Sequence, residues 1–243
     1  MKRAILLIIS MLLLQNILLP DTHVKEVVKT EKYILGIRIR SVENDINEAW
    51  IGNRRIALVE SKQTMILDLD KNLFIFINPR SKTYVECSLP VDETSILSDE
   101  VLSYYKTHRR AGNVKATGRT KNIAERECKQ FEVLFWNPKN GERENLQKIE
   151  VWGSTDVAFD LELYYNILDV MRKIHNRDKV LRKELSKIKG LQMRTEITLR
   201  KLFRKRRIVG EAVEVSDKEP PAGIYAVPEG YLKREKLTPD DFK

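Results

Sequence analysis

From Tyr33 to Leu89 short apolar runs, the first of them alternating apolar and polar residues, follow one another with turn-forming residues between them. This spacing restricts the fold more than any other feature. Period two is the repeat of a strand with one face covered, and connections this short join antiparallel neighbours. In the first run Tyr33, Leu35, Ile37 and Ile39 share a face opposite Arg38 and Arg40, and Asn44-Asp45 is expected to turn the chain. A second run passes through Trp50 to Val59 with a bend or bulge at Gly52-Asn53, and Met65–Leu69 is a third. Leu73–Ile77 is apolar throughout, as expected of a strand covered on both faces. Asn78-Pro79-Arg80-Ser81 turns the chain into Thr83–Leu89, because proline presets the turn dihedral and asparagine tolerates unusual ones. The expectation is a five-stranded antiparallel meander.

The period then lengthens. Ile96, Leu97, Val101, Leu102 and Tyr105 are spaced for a helix over 93–107, with acids early and Lys106, His108 and Arg109 late, the order the helix dipole favours. Strands return at Val114–Thr117, Cys128–Trp136 and Gln147–Trp152, the last two joined by a turn at Asn137–Gly141. The longest helix is predicted over 157–189. Its apolar stripe is Ile167, Met171, Ile174, Leu181, Leu185 and Ile188, and Gly190 is its C-cap. Leu191–Leu199 and Ile208–Val215 are the last strands. Between them lies the strongest local charge feature, formed by Arg200, Lys201, Arg204, Lys205, Arg206 and Arg207. It reads as a contact site for anionic lipid or as a solvated hairpin tip. The tail from Lys218 reads as a docked, extended end.

Residues 1–23 have the layout of an export leader: a basic start at Lys2-Arg3, then an almost wholly apolar stretch from Ala4 to Pro20. It is expected to be a cleaved signal peptide or a retained N-terminal anchor, with the start in the cytoplasm and residues 24–243 as one exported, periplasmic or extracytoplasmic domain. The formal charge of +9 favours anionic surfaces. For an exported chain these are lipid headgroups or acidic glycans, and nucleic acid is not an expected partner.

Catalysis is not expected. The three histidines are scattered at His23, His108 and His175, and no His, Cys or carboxylate cluster has ligand spacing, so no metal is expected. No nucleophile elbow, phosphate loop or dinucleotide fingerprint is present, so no cofactor is expected either. Cys87 and Cys128 are not in a C-x-x-C arrangement. In an oxidising compartment they form a disulfide or stay as two buried thiols, and sequence leaves both open.

The order of elements, from leader through meander, helical insert, further strands, long helix and final hairpin, resembles the LolA/LolB lipoprotein-carrier superfamily and, within it, a family of exported bacterial proteins. The residues carrying the likeness are Asn78–Tyr84, Thr117–Ile123, Glu127–Val133, Glu150–Ser154 and Val227–Tyr231. The resemblance implies an α+β, mainly β fold: a strongly curved antiparallel sheet, an incomplete barrel, with helices covering its concave face. It also implies an apolar ligand there, lipid or lipoprotein acyl chains, sheltered by Leu35, Ile37, Trp50, Leu67, Ile75, Val85, Phe131, Val133, Met193 and Ile197. The alternative is an envelope interaction or sensor module with a self-filled core.

Overall fold

The computed structural model describes residues 20–108, 110–136, 147–175, 179–201 and 203–242. The strands are β1 (Asp21–Ile34), β2 (Ile37–Ile51), β3 (Arg55–Val59), β4 (Thr64–Asp68), β5 (Leu73–Asn78), β6 (Thr83–Ser88), β7 (Ala111–Ile123), β8 (Arg126–Trp136), β9 (Gln147–Ser154), β10 (Leu191–Lys201), β11 (Arg204–Lys218) and β12 (Leu232–Lys233). Helices α1 (Glu93–Ile96) and α2 (Asp99–Thr107) follow β6, and α3 (Leu161–His175) and α4 (Lys179–Leu185) follow β9. All twelve strands form one sheet, ordered β12-β6-β5-β4-β3-β2-β1-β11-β10-β9-β8-β7. Two meanders, β1–β6 and β7–β11, are thus sewn together where the first strand pairs antiparallel with the eleventh. The sheet curls without closing, and the helices cover its concave face.

Side-chain alternation builds the core. Ile56, Met65, Leu67, Phe74, Phe76 and Val85 point to the concave side, where they meet Ile96, Leu97 and Val101 of the first insert and Leu163, Ile167, Val170 and Ile174 of α3. The intervening residues Ala57, Ile66, Ile75 and Ile77, with Trp50, point to the outer side, where Ile224, Tyr225, Val227 and Tyr231 of the tail cover them. That second cover is why Leu73–Ile77 is apolar at every position. Phe131, Val133 and Val151 form an adjoining cluster under Leu185 and Ile188. Each large side chain so buried contributes about 1.5–3 kcal/mol.

The tail is docked, as its composition suggested. It crosses the outer face, pairs β12 parallel to β6, and ends in a 3-10 turn at Pro239–Phe242. There the buried Asp241 accepts hydrogen bonds from Arg234, Asn78 and Thr238.

Five sequence expectations are revised. Tyr33–Arg40 is not one strand: Leu35 and Gly36 both have positive φ (49° and 83°), the signature of a two-residue hairpin turn, and Ile34 pairs with Ile37. Asn44-Asp45 is not a turn. Asp45 pairs with Val28 and Glu43 with Lys29, so Asn44 is the extra residue of a bulge inside β2. The 93–107 helix is two helices, because Ser98 N-caps the second by accepting the Val101 N–H. The 157–189 helix is also two, α3 and α4, with Asp178 outside the described residues and Ile188 beyond α4. Asp21, Thr22 and His23, expected in the leader, are buried in β1, where they pair with Lys218, Asp217 and Ser216. The Asn137–Gly141 turn and leader residues 1–19 lie outside the described residues.

Candidate functional site: the paired hairpin end

The β1–β2 and β10–β11 hairpins are neighbours, and their turns lie side by side. The Leu35 N–H donates to the Phe203 carbonyl at 2.9 Å, tying one tip to the other. At this end the apolar residues are not covered. Leu35, Ile37 and Phe203 are each 71% exposed and Ile39 57%, with Ile34 and Leu199 also exposed.

Strand register sorts the charges by face, because residues directly opposite project to the same side. On the outer face Arg207, Arg194 and Arg38 are each paired with a carboxylate. Arg207 donates to Glu196 through two nitrogens at 2.6 Å and to Glu31 at 2.9 Å. Arg194 bonds Glu196 and Glu211, and Arg38 lies 3.4 Å from Glu31. The Arg207 contact holds the carboxyls of Glu31 and Glu196 below their ordinary range. The Lys205 ammonium sits 5.0 Å over the Tyr33 ring.

On the concave face Lys32 is directly opposite both Arg206 and Arg40. Three exposed cations therefore stand in adjacent register across β2, β1 and β11. Lys32, Arg40, Arg204 and Arg206 have no carboxylate partner among the described residues. Two residues nearer the turns, the same face carries Ile34, Ile37 and Arg204. Two residues further in it carries half-buried Val42, Ile208 and Ile197 about the buried Thr30. The cation row is thus sandwiched between apolar rows.

The ten residues expected to line an apolar hollow separate into five environments. Leu67, Val85 and Met193 face the concave side but are packed in the main core, at most 1% exposed. Phe131 and Val133 are packed beneath α4, and Ile197 is half-buried in the inner apolar row. Trp50 and Ile75 are on the outer face under the tail, and Leu35 and Ile37 are at the exposed tip. Of the six expected anion-contact residues, Arg204 and Arg206 are free and exposed, Lys205 and Arg207 are engaged on the outer face, and the side chains of Arg200 and Lys201 lie outside the described residues. Cys87 and Cys128 are free thiols in the main core region, and burial pushes Cys87 up to about 11.

Lys32, Ile34, Phe203 and Arg40 were not singled out from sequence as one site. The signal that could have found them is Gly36. Read as a turn, it places Ile34 against Ile37, and the bulge at Ile39 then brings Lys32 opposite Arg40.

Two other features carry polar or titratable groups. The outer face of β7–β9 holds a pocket of about 290 Å³ lined by Lys115, Thr117, Arg119, Gln130, Glu132, Lys148 and Glu150. Its acids are already occupied: Lys148 lies 2.6 Å from Glu132 and 3.3 Å from Glu150, which also accepts from Gln130 at 3.0 Å. The histidines are dispersed: the His23 ring lies against Trp50, His175 is exposed at the end of α3 with its ring edge-on to Phe242, and His108 is exposed. Among the described residues no group of His, Cys, Asp or Glu is arranged to hold a metal ion, and no helix is long and apolar enough to cross a membrane.

No family model matches the chain, and no curated protein does. Among solved structures, "Structure of PNGF-II in P21 space group" is similar over 89% of this chain and 32% of that one, with 12% identity and a TM-score of 0.40. The chain therefore spans about a third of that protein, and the likeness supports no inference about activity.

Proposed function

We propose that this is a non-catalytic protein of the cell envelope that works by surface contact, with its hollow filled by its own side chains and the paired hairpin end as the contact surface. One observation carries the reading: four strongly exposed apolar residues, Leu35, Ile37, Ile39 and Phe203, gather at adjoining tips of a protein whose other large apolar side chains mostly pack into three clusters. Contiguous exposed apolar surface rimmed by polar groups marks interaction sites. A carrier needs room between sheet and helices, but Leu67, Val85 and Met193 already touch their own neighbours in the core. Kinship with the lipoprotein carriers belongs to the same proposal: a relative that keeps the curled sheet and has closed its hollow.

Native mass spectrometry of protein purified from its own envelope fraction tests this, alongside a photo-crosslinker placed at position 35 and, as control, at exposed Val180. The expected result is protein without bound acyl ligand that crosslinks from position 35 and not from 180. Co-purified lipid at a fixed one-to-one ratio, retained after the tip is mutated, would return the carrier reading.

A further inference from the structure

We infer that the surface contacted by the paired hairpin end is an anionic lipid bilayer, with the tips in the headgroup region and the cation row at the level of the phosphates. This rests on the contact reading above and names its partner. The cation row holds an uncompensated repulsion. Like charges directly opposite on neighbouring strands destabilise a sheet, yet Arg40, Lys32 and Arg206 stand in one line with no acid paired to them among the described residues. The other side of the same strands shows that this chain supplies acids where it needs them, through Glu31, Glu196 and Glu211. The concave row is therefore complementary to something anionic outside the molecule.

The apolar rows decide which anion. A soluble acidic partner would favour a wholly polar rim, but here Ile34 and Ile37 lie beyond the cations and Leu35 and Phe203 project furthest. The Ile34–Ile37 pair is two residues from the cation row, about 7 Å along the strand. Interfacial segments bury their apolar side about 5–10 Å into the headgroup and acyl boundary, with cations at the charged surface. Spacing and sequence of rows both fit that layered chemistry: apolar tip, cations, then half-buried apolar residues joining the core. Arg204, beside the tips, adds a fourth cation. Tip and row come from two hairpins far apart in sequence, so the arrangement exists only in the folded protein.

Co-sedimentation of the folded protein with vesicles tests it, comparing phosphatidylcholine alone with phosphatidylcholine containing phosphatidylglycerol. Each cation near such a surface is worth about fivefold in affinity, so Lys32→Glu/Arg40→Glu/Arg206→Glu is expected to lose roughly 100-fold or more. Leu35→Ser/Phe203→Ser is expected to lose roughly tenfold or more while keeping its dependence on salt. Lys115→Glu/Arg119→Glu removes two exposed cations from the other end of the sheet and is expected to change binding less than twofold. Phe203→Trp gives a second readout: its emission shifts to the blue only with anionic vesicles. All sites are exposed, and circular dichroism confirms that each variant is folded.

Equal loss in the Lys115/Arg119 variant reduces the effect to bulk charge and overturns the inference. Absence of binding to anionic vesicles also overturns it. In that case a protein crosslinked from position 35 in envelope fractions leaves the contact reading standing with a different partner, and no adduct removes both.

Discussion

The C-terminal clasp gives the most direct stability test. Asp241 is buried, and both its oxygens lie 2.5 Å from Arg234 Nη2. Oδ1 also accepts from Asn78 Nδ2 at 2.9 Å, and Oδ2 from the Thr238 N–H at 2.8 Å and its hydroxyl at 3.2 Å. Every neighbour is a donor, so Asp241→Asn turns one acceptor into a donor facing donors. Removing one partner of a buried ion pair costs about 3–5 kcal/mol. The Arg234 side chain is 30% exposed, so water recovers part of that and about 2–3 kcal/mol remains. The cost is expected locally, as easier opening of the tail. Three amides report it: Leu232 to the Lys82 carbonyl, Arg234 to that of Tyr84, and Leu237 to that of Ile96. In hydrogen exchange their protection falls roughly 30- to 150-fold, while central amides of β1 and β11 change little. The pH dependence has a defined sign. Burial pushes the Asp241 carboxyl up, but the bonds from Arg234, Thr238 and Asn78 outweigh it and hold the group below its usual 3.8. A depressed carboxyl stabilises above its unfolded value, and the contribution is lost as pH falls through the folded one. The gap between wild type and variant is therefore full at neutral pH and closes below 3.8. Unchanged protection at the three amides, or equal loss across the whole sheet, would refute the clasp.

Three further outcomes are expected. A Cβ on Gly153 would lie 2.1 Å from the backbone carbonyl oxygen of Lys189, so Gly153→Ala forces the strand and the segment after α4 apart; a loss of about 2 kcal/mol, seen as a Tm drop of about 5 °C, checks it. Burial raises the Glu26 carboxyl above its unfolded value of 4.5 despite the bond from Asn47, so its ionisation costs stability as pH rises past that value. Glu26→Gln, which still offers Asn47 an acceptor, is expected to raise Tm at pH 8 and leave it unchanged at pH 4. Cys87 and Cys128 are expected to stay silent toward thiol reagents in the folded protein and both to react on denaturation without reductant; an intact mass two hydrogens light would contradict that.

How much was legible follows from which forces act locally. The strands from Met65 to Leu89 were readable because each buries its own alternating residues, and the uninterrupted Leu73–Ile77 run correctly implied two covers. The tail that supplies the outer cover lies about 150 residues away and announces itself only through Tyr225, Val227 and Tyr231, which have no period. Face assignment failed where one backbone conformation decides it. Reading Gly36 as part of a strand put Leu35 and Ile37 inside a trough, whereas positive φ at Leu35 and Gly36 puts them on a tip. Trp50 and Ile75 carry the same composition signal as Leu67 and Val85, and only the sheet register separates the two faces. The basic run was visible as charge, but its division into engaged Arg207 and free Arg206 depends on Glu31 and Lys32, which reach it only through the β1–β11 pairing.

The position of β1 also constrains the leader. Asp21 accepts a hydrogen bond from the Tyr225 hydroxyl at 2.5 Å, Thr22 donates to Asp217 at 3.2 Å, and the His23 ring lies against Trp50 with ring centroids 4.2 Å apart. A peptidase cutting after residue 23 would remove three buried residues and the start of the central strand pairing, so the mature N-terminus is expected at or before Asp21. From there β1 runs 14 residues to Ile34, about 45 Å if extended, with the hairpin tip at its far end. Cleaved protein docked by its tip is released from membranes by high salt, and the Lys32→Glu/Arg40→Glu/Arg206→Glu variant is soluble from the start. Anchored protein resists salt whatever the tip carries. N-terminal sequencing of protein from salt-washed and detergent-extracted fractions separates these cases, and a mature chain beginning at Val24 that still folds would refute the structural role given to Asp21, Thr22 and His23.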